Sequence, residues 1–210
     1  MQDKNDQVVA RLQKLEKFKE MGIEAYPHSF NRSHDSCLLK EKKEEFLANE
    51  TTISFAGRVV RFNRKGKVCF MHLKDRYGRL QVVCARDIVG EENYEVVKLI
   101  DLGDFIGVEG VMFETQTGEY SVKVSSVKML SKAVRPLPTP KEKIDENGNK
   151  IIFNEFADVD TRYRQRYTDM ALNDDVKDVF IKRSKIMQSI REYLIEQGFI
   201  EVETPTLQPI

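Results

Sequence analysis

Between Arg58 and Lys67 the chain places five cations, Arg58, Arg61, Arg64, Lys65 and Lys67, within ten residues and no acid among them. Such a run is often only a solvated turn, but it also suits a phosphodiester backbone. The residues beyond it, Phe70 and Gln81, favour the second reading. An aromatic ring on a strand face stacks an unpaired base, for about 1 to 3 kcal/mol, without telling one base from another. Discrimination needs a polar edge. The carboxamide of Gln81 carries an acceptor and donors that match the N3–H and a carbonyl oxygen on the pairing edge of uracil. Basic strand, stacking ring and reading amide together make a single-stranded RNA site, with Arg58, Lys65 and Lys67 as candidates for its phosphates.

No catalytic constellation accompanies these residues. His28, His34 and His72 are scattered, each without an evident Ser, Cys or carboxylate partner, so structural or exposed roles are expected of them. There is no phosphate-cradling loop of the Walker or Rossmann kind. Cys37, Cys69 and Cys84 are odd in number and fall in no metal-ligand spacing, which argues against a disulfide framework and against a metal site and fits a reducing cytoplasm. Cys69 and Cys84, on neighbouring strands, are expected to fill a core. The start, Met1-Gln2-Asp3-Lys4, is too polar for a signal peptide, and no apolar run reaches membrane-spanning length. Lys plus Arg equals Asp plus Glu at 34 each, so only local clustering speaks about a partner.

The elements that must hold the site follow from periodicity. Lys4 to Glu20 reads as an amphipathic helix with Val8, Leu12, Leu15 and Phe18 inward, Arg11, Lys14, Lys17 and Lys19 outward, and Gly22 at its C-cap. The outward cations are a secondary candidate for RNA contact. A second short helix is expected from Leu38 to Ala48. Between Thr51 and Leu130 the period falls to that of half-buried strands: Ile53 to Phe62, Lys67 to Lys74, Arg79 to Arg86, Phe105 to Glu114 and Tyr120 to Leu130, with a helix from Glu91 to Ile100. Lys65-Gly66, Tyr77-Gly78 and Thr117-Gly118 mark turns. Five strands with a helix after the third predict an OB-fold barrel, a fold whose strand face and loops take oligonucleotides. The Pro-rich, then charged segment from Ser131 to Asp160 reads as a linker, with room for a hairpin at Asn147-Gly148. Asp174 to Gln197 reads as a long amphipathic helix, capped by Asn173 or Asp174 and ended by Gly198. The expected domains are a helical extension (1–50), the barrel (51–130), the linker (131–160) and the start of a further α+β domain (161–210). The fold class is mainly β with α.

Several separated strings carry a family resemblance. Residues 57–86, with Gly66-Lys67-Val68-Cys69-Phe70 and Asp75-Arg76-Tyr77-Gly78-Arg79-Leu80-Gln81, are similar to the anticodon-binding domain of the lysyl, aspartyl and asparaginyl subclass of class II aminoacyl-tRNA synthetases. Asp101-Leu102-Gly103-Asp104, Thr117-Gly118-Glu119, Lys132-Ala133-Val134-Arg135-Pro136-Leu137-Pro138 and Arg162-Tyr163-Arg164-Gln165-Arg166-Tyr167 resemble the bacterial lysyl branch. The resemblance implies that Phe70 stacks the central anticodon base, that Gln81 reads it and that Glu119 lies beside the first base. The family usually has arginine where this chain has Asn63, which leaves Arg61 or Arg64 to supply that contact. The segment from Asp145 to Phe156 is longer than the family's linker and is expected to be an insertion.

The last residues, Gly198 to Ile210 with Pro205, resemble motif 1 of that class, a helix, strand and proline that build a dimer interface. Motifs 2 and 3, which grip ATP, would lie downstream. The resemblance therefore implies a homodimeric, cytoplasmic lysine-activating ligase that uses ATP and Mg2+, while this stretch alone is expected to bind the anticodon stem-loop of lysine tRNA without catalysis, and neither DNA nor membrane. A free-standing single-stranded RNA-binding module and the aspartyl or asparaginyl counterpart are the alternatives.

Overall fold

The computed structural model describes residues 2–138, 141–144, 150–153 and 156–206. They fall into two compact units, 1–137 and 138–210.

In the first unit a closed barrel forms from β1 (Thr52–Lys65), β2 (Val68–Lys74), β3 (Arg79–Ala85), β4 (Phe105–Glu114) and β5 (Tyr120–Ser131), in the spatial order β1-β2-β3-β5-β4. All neighbours are antiparallel except β3 and β5, which run parallel over Gln81↔Ser121 and Val83↔Lys123. That is the expected OB-type arrangement. Alternation decides what faces inward: Phe55 and Val59, Met71 and Leu73, Val82, Val108 and Val122 are fully or almost fully buried, each adding roughly 1.5 to 3 kcal/mol by burial. Cys69 and Cys84 sit opposite one another in this core, as expected. A bulge at Val60 re-registers β1 between Val59 and Arg61. Gly66, at φ 59°, makes the tight turn from β1 to β2 in a conformation that other residues avoid. Gly107 is a different case: a Cβ there would stand 2.5 Å from the Phe30 ring, so only glycine lets the segment before the barrel lie on β4.

The helical extension is no separate body. α1 (Gln2–Glu20), α2 (Ser36–Glu41) and α3 (Lys43–Asn49) put Phe18, Leu39 and Phe46 into the barrel's own core. The single helix expected from Leu38 to Ala48 is two, broken at Lys42, with Asp35 capping the first through Leu38 N–H. In α1 Phe18 and Leu15 pack on the barrel as expected, but the rest of the inward face differs. Leu12 is exposed, whereas Arg11 and Lys14 point to the barrel, Arg11 donating to the carbonyls of Ala133 (2.7 Å) and Leu102 (3.0 Å) and Lys14 to Asp101 (2.6 Å). Lys132, wholly buried, donates to Asp101 (2.6 Å), Asp104 (2.7 Å) and the Leu99 carbonyl (3.0 Å), and Asp104 also accepts from the Asp101 and Ala133 amides. This ionic knot explains the Asp101–Asp104 and Lys132 strings: they fasten α1 and the segment after β5 to one end of the barrel. α1 ends as expected at Gly22, φ 69°, where Ile23 N–H reaches back to the Phe18 carbonyl. The helix expected from Glu91 to Ile100 is α5 (Glu91–Leu99), and a short α4 (Arg86–Val89) precedes it at the expected end of β3.

In the second unit, β6 (Lys141–Ile144) and β7 (Lys150–Phe153) form the hairpin, its Asn147-Gly148 turn lying outside the described residues. α6 (Val159–Arg164), α7 (Arg166–Leu172) and α8 (Asp174–Glu196) follow. Asp169 gathers Arg162 (3.0 Å), Arg166 (2.5 Å) and Asn173 (2.7 Å), which accounts for the Arg162–Tyr167 string. Asn173 stands at the N-cap position of α8 but spends its side chain on Asp169, so it does not cap through that side chain. Gly198 ends α8, as expected. The strand expected after it carries no ladder among the described residues; Pro205 lies there, exposed.

Candidate nucleic-acid interface

On the outer barrel face the register lays two rows side by side. Arg61 of β1, His72 of β2, Gln81 of β3 and Ser121 of β5 form one; Asn63, Phe70, Val83 and Lys123 form the next. Phe70 and Gln81 are thus on one face, one residue pair apart, as the alternation requires. Between these strands and the β4–β5 turn lies a groove of about 260 Å³, lined by Arg61, Asn63, Lys65, Phe70, His72, Gln81, Thr115, Thr117 and Glu119. A cavity of about 380 Å³ adjoins it, sharing His72, Gln81 and Glu119 and bringing Lys40, Lys43 and Arg79.

The strands bring together six of the residues singled out from the sequence: Arg61, Asn63, Lys65, Phe70, Gln81 and Glu119. The rest stand elsewhere. Arg64 falls on the alternate face of β1 and does not line the groove, which leaves Arg61, Asn63 and Lys65 as the β1 side chains at hand, Asn63 directly opposite Phe70. Arg58 is half-buried; its guanidinium lies 4.2 Å from the Phe105 ring centre and donates to the Gly103 carbonyl, so it serves the barrel rather than a phosphate. Lys67 is exposed at the β1–β2 turn, outside the groove.

The groove's acidic and amide groups are held in place. Thr115 N–H donates to the Glu119 carbonyl (3.0 Å), Glu119 N–H to Thr115 Oγ1 (3.0 Å) and Gly118 N–H to the Thr115 carbonyl (2.8 Å), closing the turn that presents Glu119. Glu119 Oε1 lies 3.0 Å from His72 Nε2. His72 therefore has a carboxylate partner, contrary to the expectation from sequence, where the two residues lie far apart. His34 likewise has a neighbour, Ser33 Oγ at 2.6 Å from Nδ1, and packs edge-on against Phe46. Gln81 donates through Nε2 to Ser121 Oγ at 2.9 Å. His72 could have been found by counting two residues on from Phe70 along a strand, but Ser121 had no local signal, since only the parallel β3–β5 pairing brings it to Gln81. Burial pushes the Cys69 thiol up to about 11 and the Cys84 thiol higher still, so neither is a nucleophile near neutrality.

A concave face of cations, one ring and one amide can hold a single strand and question a base. Residues 53–130 match the family model described as "OB-fold nucleic acid binding domain", and residues 158–210 the one for "tRNA synthetases class II (D, K and N)". The lysine–tRNA ligase of Staphylococcus epidermidis is 43% identical over 216 residues, taking in all of this chain and 41% of the relative; that of Streptococcus pneumoniae is 44% identical over 212 residues, 99% of this chain and 40% of the relative. Over its whole length the chain is similar to lysine–tRNA ligases. It spans about two fifths of the length of the relatives it matches. The class II synthetase match follows the OB-fold match in one chain similar throughout to lysine–tRNA ligases, which favours the lysyl reading. Among the described residues no three His, Cys, Asp or Glu side chains converge as metal ligands, and no helix is long and apolar enough to cross a membrane.

Proposed function

We propose that this chain supplies anticodon recognition to a lysine–tRNA ligase, holding the central anticodon uridine of lysine tRNA in the groove between Phe70 and Gln81. In the family reaction lysine is activated with ATP and Mg2+ and passed to the terminal ribose of the tRNA; that chemistry belongs to the whole protein, which works in the cytoplasm. Phe70 gives the base a stacking platform, the Gln81 amide meets its pairing edge, Glu119 stands beside the neighbouring base, and Arg61, Asn63 and Lys65 border the strand on the β1 side. The observation that carries this reading is the convergence of Phe70, Gln81 and Glu119 on one groove from three separate parts of the chain.

The test is binding to the lysine-tRNA anticodon stem-loop against an unrelated hairpin of equal size. Phe70→Ala should weaken the first by about 1 to 3 kcal/mol, the stacking contribution, and leave the second unchanged. Equal loss on both hairpins would refute base recognition.

The second unit supports a homodimer as the assembled state. α8 carries Val179, Ile186, Ile190 and Tyr193 along one stripe, all exposed, Ile186 and Tyr193 at 60% and 62%. Among the described residues nothing covers this stripe, which supports its use as an interaction face, and Pro205 lies just beyond it.

A further inference from the structure

A carboxamide has two sides. Turned one way it sets a carbonyl oxygen before a ligand, turned over it sets N–H donors there. Uracil presents N3–H on its pairing edge, whereas cytosine presents a bare N3 beside an amino group. An oxygen held opposite N3 takes uracil; an amino group held there takes cytosine. A glutamine free to turn over accepts both.

Gln81 is not free. Its Nε2 donates to Ser121 Oγ at 2.9 Å, and Ser121 Oγ lies 3.1 Å from the backbone carbonyl of Glu119. A serine hydroxyl has one proton, and a carbonyl can only accept. With that proton committed to Glu119, the side of Oγ that meets Gln81 is a lone pair, and only an N–H can meet it. The amide turned over would either press oxygen against oxygen or take the Ser121 proton away from the Glu119 carbonyl, and water cannot intervene, since Ser121 is fully buried and Gln81 only 7% exposed. The relay has fixed ends. Gln81 and Ser121 are register partners in the parallel β3–β5 ladder, and the Glu119 carbonyl is held by Thr115 N–H at 3.0 Å.

We propose that Ser121 is a positioning residue that locks the Gln81 carboxamide with its oxygen and second N–H away from Ser121 and available to the groove, so that the site takes uracil and refuses cytosine. The proposal rests on the reading of the groove as the base-recognition site. It assigns the choice between the two pyrimidines to a side chain that need not touch the RNA.

The experiment uses the full chain and two RNA hairpins identical except for uridine or cytidine at the loop centre. The unsubstituted chain should prefer the uridine hairpin by about tenfold or more. Ser121→Ala should bring that ratio toward unity by tightening the cytidine hairpin, an effect that mere loss of packing would not produce. Ser121→Cys keeps the side-chain volume with only weak hydrogen bonding, should shift the ratio in the same direction, and carries the test should the alanine variant not fold. A ratio unchanged in a folded Ser121 variant, with both hairpins weakened alike, would overturn the lock while leaving base recognition by Gln81 standing. No preference between the hairpins in the unsubstituted chain would overturn both.

Discussion

Phe70 and Gln81 were legible as a pair because strand alternation puts both on the outer face once the strands are drawn, whereas the groove also needs the β4–β5 turn with Thr115, Thr117 and Glu119. Arg64 and Arg58 were not separable from Arg61 by composition. The β1 register sends Arg64 to the other face, and the Phe105 ring draws in Arg58. This sorting predicts a difference among neighbours. Lys65→Gln should lower the slope of log affinity against log salt by about one, the loss of a single phosphate contact, while Arg64→Gln should change it less; salt titrations on the lysine-tRNA stem-loop would show this, and equal slopes for the two would place the strand elsewhere. The thiols make a second residue-scale test. Cys37 is exposed, whereas Cys69 and Cys84 are buried with their thiols held protonated. A thiol reagent at mild alkaline pH should label one cysteine quickly and the other two only after denaturation. Rapid labelling of all three in the native chain would show that the barrel is not closed between β2 and β3.

At the scale of elements, the strands followed from the period, but the docking of α1 did not. Helical periodicity ranks Leu12 above Arg11 and Lys14 as an inward residue; the barrel end offers carbonyls and Asp101 rather than an apolar surface, so the cations go inward instead. The two-helix form of residues 36–49 had no signal in the sequence, since the residue at the break, Lys42, is no helix breaker by type. The knot at the barrel end has energetic consequences. Lys132→Met leaves the Asp104 carboxylate buried without a cation and should cost about 3 to 5 kcal/mol in urea unfolding. A change under about 1 kcal/mol would show that the knot contributes little. The same knot predicts an acid limb. Burial would raise the Asp101 carboxyl, but hydrogen bonds and charge from Lys132 and Lys14 outweigh it and hold the group below its ordinary value; Asp75 behaves alike, its burial outweighed by hydrogen bonds from Ser36 and the Gly78 and Tyr77 amides. A lowered folded value contributes stability above the unfolded value of about 3.9 and loses it as pH falls through the folded one. Urea midpoints should thus hold level down to about pH 5 and drop below about pH 4, and Asp101→Asn should shrink that drop.

For the molecule as a whole, the division into a barrel unit and a helical unit was visible as a change of period and a Pro-rich stretch, although the expected boundary at residue 50 is not a gap in packing, because Phe18, Leu39 and Phe46 belong to the barrel's core. The proposed homodimer would use the apolar stripe of α8. Sedimentation equilibrium should find dimers that Ile186→Asp with Ile190→Asp dissociates; a monomer whose α8 amides are nonetheless well protected from hydrogen exchange would contradict the homodimer. The central claim, that the barrel holds and questions one uridine, is tested most directly by following the Gln81 side-chain amide and the Phe70 ring by NMR as the lysine-tRNA stem-loop is added. The account predicts large shifts at both groups, with smaller ones when the loop centre is cytidine. Shifts confined to Arg64 and Lys67, with Phe70 and Gln81 unmoved, would contradict it.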